Sequence, residues 1–132
     1  MHTPPFILVV DDEDNLREVI MKELVSIGFE VQGAVNAEDA IKKAGELKPD
    51  LILMDIRMPG KMNGVDAAIS IKNNPDTQDI KIAFLSSDDD PWPALVGTKA
   101  DVSKSMGMED FISKLENLDV FVAKVKGFLG IQ

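Results

Sequence analysis

The chain has 132 residues, 45% of them apolar and 28% charged, enough for one domain with a proper core. A formal net charge of −9, from 23 acidic against 14 basic side chains, repels a phosphate backbone and argues against nucleic-acid binding. Cysteine is absent, which removes disulfide and thiol chemistry. No apolar run approaches the ~18–20 residues of a membrane span or has the layout of a secretory signal, so no membrane association and a cytoplasmic location are expected.

In chain order, 6–10 is an apolar run without alternation, the pattern of a strand buried on both faces of a parallel sheet. Leu16, Val19, Ile20, Leu24 and Ile27 follow at helical spacing, and Gly28 supplies a stop. Residues 29–32 alternate, as an edge strand does. Asn36 is a natural helix cap, with Glu38 and Asp39 in the first turn and Lys42 and Lys43 later, the order the helix dipole favours. A second unbroken run at 51–54 predicts a central strand. Val65, Ala68, Ile69 and Lys72 predict a helix closed off before Pro75. The run 80–85, interrupted only by Lys81, predicts a fourth strand. Residues 86–93 are irregular, with three Asp and two Pro around the single Trp, and 94–105 is read as a helix of poor periodicity. Residues 111–114 give a fifth strand, at the second edge. Leu118, Phe121, Val122, Val125, Phe128 and Leu129 form the last helical stripe, capped by Asn117.

Five βα repeats imply one parallel sheet with right-handed crossovers and helices on both faces. Ligands of such sheets bind beyond the carboxyl ends of the strands. Here those ends carry Asp11-Asp12, Asp55, Ser86-Ser87 and Lys114. Asp11 and Asp12 also suit the first turn of a helix, but that role does not account for Asp55 and Lys114. Three carboxylates in one cleft repel one another, and a hard cation such as Mg²⁺ or Mn²⁺ relieves them. With its charge offset by the cation and Lys114, Asp55 can act as a nucleophile toward phosphorus. Phosphoryl transfer then needs mainly positioning and neutralisation of the equatorial oxygens, which the cation, Lys114 and the Ser86 hydroxyl would supply.

The order Val9-Val10-Asp11-Asp12-Glu13, Asp55-Ile56-Arg57-Met58-Pro59-Gly60, Ser86 and Phe111-Ile112-Ser113-Lys114 resembles the receiver domain of two-component response regulators, over nearly the whole chain. The resemblance implies a flavodoxin-like three-layer α/β/α sandwich with a five-stranded parallel sheet in order 2-1-3-4-5. It implies a single domain over 1–132, with its core at about 5–129. It implies Asp55 as phosphoacceptor and Asp12 as direct Mg²⁺ ligand, with Asp11 as helper and the Arg57 backbone carbonyl as a further ligand. Ser86 becomes the switch hydroxyl, Lys114 the phosphoryl-binding lysine, and Phe111 the aromatic that follows phosphorylation. The implied partners are a sensor histidine kinase or phosphotransfer protein and a downstream effector. The outer face of the fourth helix, fifth strand and fifth helix would change partners, the chain being a monomer or a phosphorylation-dependent dimer. With no effector segment after Gln132, output is expected through protein contact. The chain would be no enzyme beyond its own phosphorylation and dephosphorylation.

Three departures from the family pattern stand out. Leu115 follows Lys114 where the family usually has proline, and a trans peptide is expected because a non-proline cis bond costs roughly 3–4 kcal/mol. Gly64 stands one residue further from Asp55 than usual. The stretch between Ser86 and Phe111 is also longer, and its seat is the Asp88–Pro93 loop. That loop is either a solvated acidic connection or a partner-binding element anchored by Trp92. Arg57 and Asp88, two residues beyond Asp55 and Ser86, could pair across the mouth of the site and hinder the hydrolytic water. Two rivals remain at this point: a pseudo-receiver acting without phosphorylation, and a small Mg²⁺-dependent phosphatase with an aspartyl intermediate. The phosphatase usually wants a second acid where this chain has Arg57. A flavin site lacks the phosphate-cradling loop after the first strand.

Overall fold

A computed structural model of the chain describes residues 2–58, 60–86, 111–114 and 117–131. The expected helix at 94–105, the loop with Asp88 and Trp92, Ser87, Pro59, the Lys114–Leu115 junction and the Phe111 side chain lie outside the described residues. The elements are β1 (Phe6–Val10), α1 (Asp14–Ser26), β2 (Glu30–Ala34), α2 (Ala37–Leu47), β3 (Leu51–Asp55), α3 (Gly64–Asn73), β4 (Lys81–Ser86), β5 (Phe111–Ser113) and α4 (Leu118–Leu129). The strands form one parallel sheet in the order β2-β1-β3-β4-β5, so the second and fifth strands are its edges, as expected. This is the flavodoxin-like arrangement expected from the sequence.

Successive residues of a strand face opposite ways, and the unbroken apolar runs therefore feed two cores. Leu8, Val10, Ile52, Met54, Ile82 and Phe84 pack with the alanine-rich faces of α2 and α3. Ile7, Val9, Leu51, Leu53, Leu85 and Ile112 pack instead against Ile20 and Leu24 of α1 and Phe121, Val125 and Leu129 of α4. Burying one such side chain stabilises the fold by roughly 1.5–3 kcal/mol.

Asparagine begins three of the helices. Asn36 accepts a hydrogen bond from the Asp39 amide at 2.7 Å, and Asn117 from Asp119 at 2.8 Å. Asn63 and Asp66 exchange side-chain bonds of 2.9 and 3.1 Å in a full capping box at the start of α3. The stripes read from the sequence are too wide in places. Val19 is 54% exposed, and Ile69 and Leu118 are also largely open. A helix resting on a sheet buries only an arc of its circumference, and these three lie beyond it. Among the described residues no helix is long and apolar enough to cross a membrane.

Candidate functional site

Backbone hydrogen bonds carry the sheet one residue past its strands and so fix the groups at its carboxyl edge. The Asp11 amide donates to the Ala34 carbonyl at 3.1 Å, Ile56 to Leu85 at 3.3 Å, and Lys114 to Ser86 at 2.7 Å. Asp55 ends β3, opposite Leu85 of β4. Asp11, Asp55 and Lys114 each stand two residues beyond a side chain of the α1/α4 core, namely Val9, Leu53 and Ile112. Strand periodicity therefore brings all three to one side of the edge. Ser86 follows Phe84 of the other core by the same spacing, and is buried.

Asp11 is fully buried and Asp55 is 1% exposed, while Asp12 stands open to solvent. Carboxylate oxygens of the three lie within 4.8 Å of one another. The Lys114 Nζ sits 2.8 Å from Asp55 Oδ1 and 3.4 Å from Asp11 Oδ2. The lysine thus reaches the expected acceptor. Asp11 Oδ1 accepts from the Glu13 amide at 2.9 Å. The Oδ2 atoms of Asp11 and Asp55 are buried and have no hydrogen-bond partner among the described residues. A buried carboxylate oxygen left in that state costs free energy. Lys114 alone leaves the cluster with a net negative charge.

The electrostatics follow from this packing. Burial raises the Asp55 carboxyl from 3.8 to about 7; the Lys114 hydrogen bond opposes that shift, and the Asp11 charge and the Asp12 carboxyl reinforce it. For Lys114, burial acts downward, but its bonds to Asp55 and Asp11 outweigh it and hold the ammonium above its usual value. Oxygen-only donors, two of whose buried oxygens accept no hydrogen bond among the described residues, suit a hard divalent cation such as Mg²⁺. Asp11, Asp12 and Asp55 are the residues that could hold it.

The backbone around Asp55 is as constrained as its side chain. Gly64, the first residue of α3, is buried against β3, and a Cβ there would overlap the Asp55 carbonyl oxygen and lie 2.8 Å from its carbon. Its amide donates to the Ile56 carbonyl at 2.9 Å, closing the loop that leaves β3. The longer spacing from Asp55 to Gly64 is accommodated within that loop.

The chain matches the family model described as the response regulator receiver domain across residues 7–126. It belongs to the response regulator receiver family. The sensory transduction protein BceR of Halalkalibacterium halodurans is 33% identical over 123 residues, covering 93% of this chain and 49% of that protein. Response regulator GacA of Pseudomonas viridiflava is 35% identical over 115 residues, covering 83% of this chain and 52% of that protein. The receiver thus spans about half the length of the curated relatives it matches. Among solved structures it resembles the receiver domain of a sensor histidine kinase from Pseudomonas aeruginosa, which has a magnesium ion coordinated in its active-site cleft. That likeness has a TM-score of 0.79 at 25% identity and covers 96% of this chain and 98% of that one.

Three further residues shape this receiver's site. Arg17 bonds to the Asp11 carbonyl, Gly33 leaves room for its stem, and Gly64 lets α3 approach Asp55. A glycine inside an edge strand is itself a signal of close approach.

Proposed function

We propose that this receiver accepts a phosphoryl group on Asp55 from a histidine kinase or phosphotransfer protein, with a divalent cation held by Asp11 and Asp12. The observation that carries the reading is the convergence of three carboxylates, two of which, Asp55 at 2.8 Å and Asp11 at 3.4 Å, pair with the Lys114 Nζ. A bound Mg²⁺ would neutralise charge on the acids and on the incoming phosphoryl oxygens. Asp55 in its ionised form attacks phosphorus, and the P–N bond to the donor histidine breaks in the same displacement, leaving the imidazole as the departing group. Lys114 then remains beside the new acyl phosphate as a fixed positive charge. The Arg57 carbonyl would complete the cation's ligands, while Ser86, one residue beyond the partner of Asp55 on β4, would turn toward the phosphoryl group. Such a local electrostatic change biases a two-state surface, here including β5 and α4, toward a different protein partner.

The test uses Mg²⁺ followed by beryllofluoride, a mimic of the phosphoryl group, with the unfolding midpoint as readout. A ligand selective for the folded state raises that midpoint. The wild type is expected to gain stability in two steps, and Asp55→Asn to lose the second. An equal response to beryllofluoride in both proteins refutes the assignment.

A further inference from the structure

Arg17 has no part in the chemistry above, yet it is tied to the residues that do. Its side chain is only 14% exposed. Nη1 donates to the backbone carbonyl of Asp11 at 2.8 Å, and Nη2 donates to Asp14 Oδ1 at 2.6 Å. The two acceptors flank Asp12 in the chain, so one guanidinium grips both ends of the turn that presents it. From inside the turn, Asp11 Oδ1 takes the Glu13 amide at 2.9 Å. Glu13, the residue before α1, makes no side-chain cap, unlike the asparagines that begin the other helices.

The neighbouring strand is shaped to the arginine. A Cβ at Gly33 of β2 would stand 3.1 Å from Arg17 Cδ, 3.3 Å from its Nε and 3.0 Å from Met21 Sδ. Any larger residue would press on the stem of Arg17. That part of β2 is also anchored: the Gly33 carbonyl accepts the Lys43 ammonium at 2.5 Å, and the next residue, Ala34, accepts the Asp11 amide at 3.1 Å. The slot, the arginine and the acidic turn therefore form one connected unit.

We infer that Arg17 is a positioning residue of the cation site, holding the Asp11–Asp14 turn so that Asp12 meets the cation without touching that cation itself. The inference rests on reading Asp11, Asp12 and Asp55 as that site. Groups that orient metal ligands typically contribute on the order of 10- to 100-fold to affinity. The planar fork is essential, because a lysine offers a point charge and cannot span a carbonyl and a carboxylate in fixed geometry.

Calorimetric titration of the full chain with Mg²⁺ tests this, with Mn²⁺ electron paramagnetic resonance as a spectroscopic check. Arg17→Ala is expected to weaken Mg²⁺ binding about tenfold, Arg17→Lys to recover little of it, and Gly33→Ala to weaken it several-fold by displacing the stem. Asp12→Ala serves as the reference for loss of the site. Wild-type affinity in Arg17→Ala, or full recovery in Arg17→Lys, overturns the positioning role while Asp12→Ala still reports a cation site. A lowered unfolding midpoint with unchanged Mg²⁺ affinity overturns it equally. If Arg17→Ala does not fold, Arg17→Lys and Gly33→Ala decide the matter by the same criteria. Mg²⁺ binding that is absent in the wild type, or unaltered in Asp12→Ala, removes the cation site and this inference with it.

Discussion

Replacing Asp55 by asparagine is expected to make the metal-free protein more stable, by an amount that depends on pH. The folded-state pKa of Asp55 is raised from 3.8 to about 7, chiefly by burial. A folded state that binds the proton more tightly than the unfolded chain is favoured in acid and loses that advantage as pH rises through the folded value. Between about pH 4 and pH 7 the wild type should therefore lose up to about 1.4 kcal/mol per pH unit relative to the variant, and nothing further above that range. Over the whole window the ceiling is about 4 kcal/mol, and relaxation around the acid should leave about 2 kcal/mol or more of it. The Lys114 contact is already contained in the net folded-state value, and Lys114 itself stays charged across the window because its pKa is raised. Urea denaturation of both proteins in EDTA, from about pH 5 to pH 8, measures the difference. Mg²⁺ at about a hundred times its dissociation constant should return about 2.7 kcal/mol to the wild type and close or reverse the gap. A stability difference that stays constant from acid to neutral pH refutes the reasoning.

Three other outcomes are expected. Gly64→Ala forces the Asp55 carbonyl aside; it should cost about 1–3 kcal/mol in denaturation and slow phosphorylation by a small-molecule donor. Lys114→Ala leaves Asp55 and Asp11 without their cation, and beryllofluoride binding followed by calorimetry should fall by at least about tenfold. Arg57→Ala should shorten the lifetime of the phosphoryl group on Asp55, as measured by its release over time; an unchanged or longer lifetime counts against a gate at that position.

Much of this was written in the chain. Asp11, Asp55 and Lys114 stand at the carboxyl ends of strands that alternate with helices, and in a parallel sheet those ends share one edge. Asn36 and Asn117 announce their helices because a short side-chain amide satisfies amides that the first turn leaves free. The width of the buried arcs was less legible. Val19 and Leu118 keep helical spacing yet border an apolar groove between α1 and α4 that also reaches Leu16 and Lys114. Apolar periodicity marks both the core and the rim of such a groove, and only packing separates them. Arg17 could not be read as part of the site, since its partner at Asp11 is a backbone carbonyl, which leaves no trace in side-chain patterns. Gly33 and Gly64 carry a signal that is visible only once one asks what stands opposite the missing Cβ.

The bond from the Gly64 amide to the Ile56 carbonyl has an evolutionary consequence. It ties off the chain between Arg57 and Asn63, so both feet of that loop are set by the sheet and by α3 rather than by what lies between them. An exposed position such as Lys61 can be exchanged while Met58 and Met62 stay packed against the core and the helix behind them keeps its place. The surface beside Asp55 can then drift toward new partners, while the carboxylate cluster beneath it is inherited unchanged.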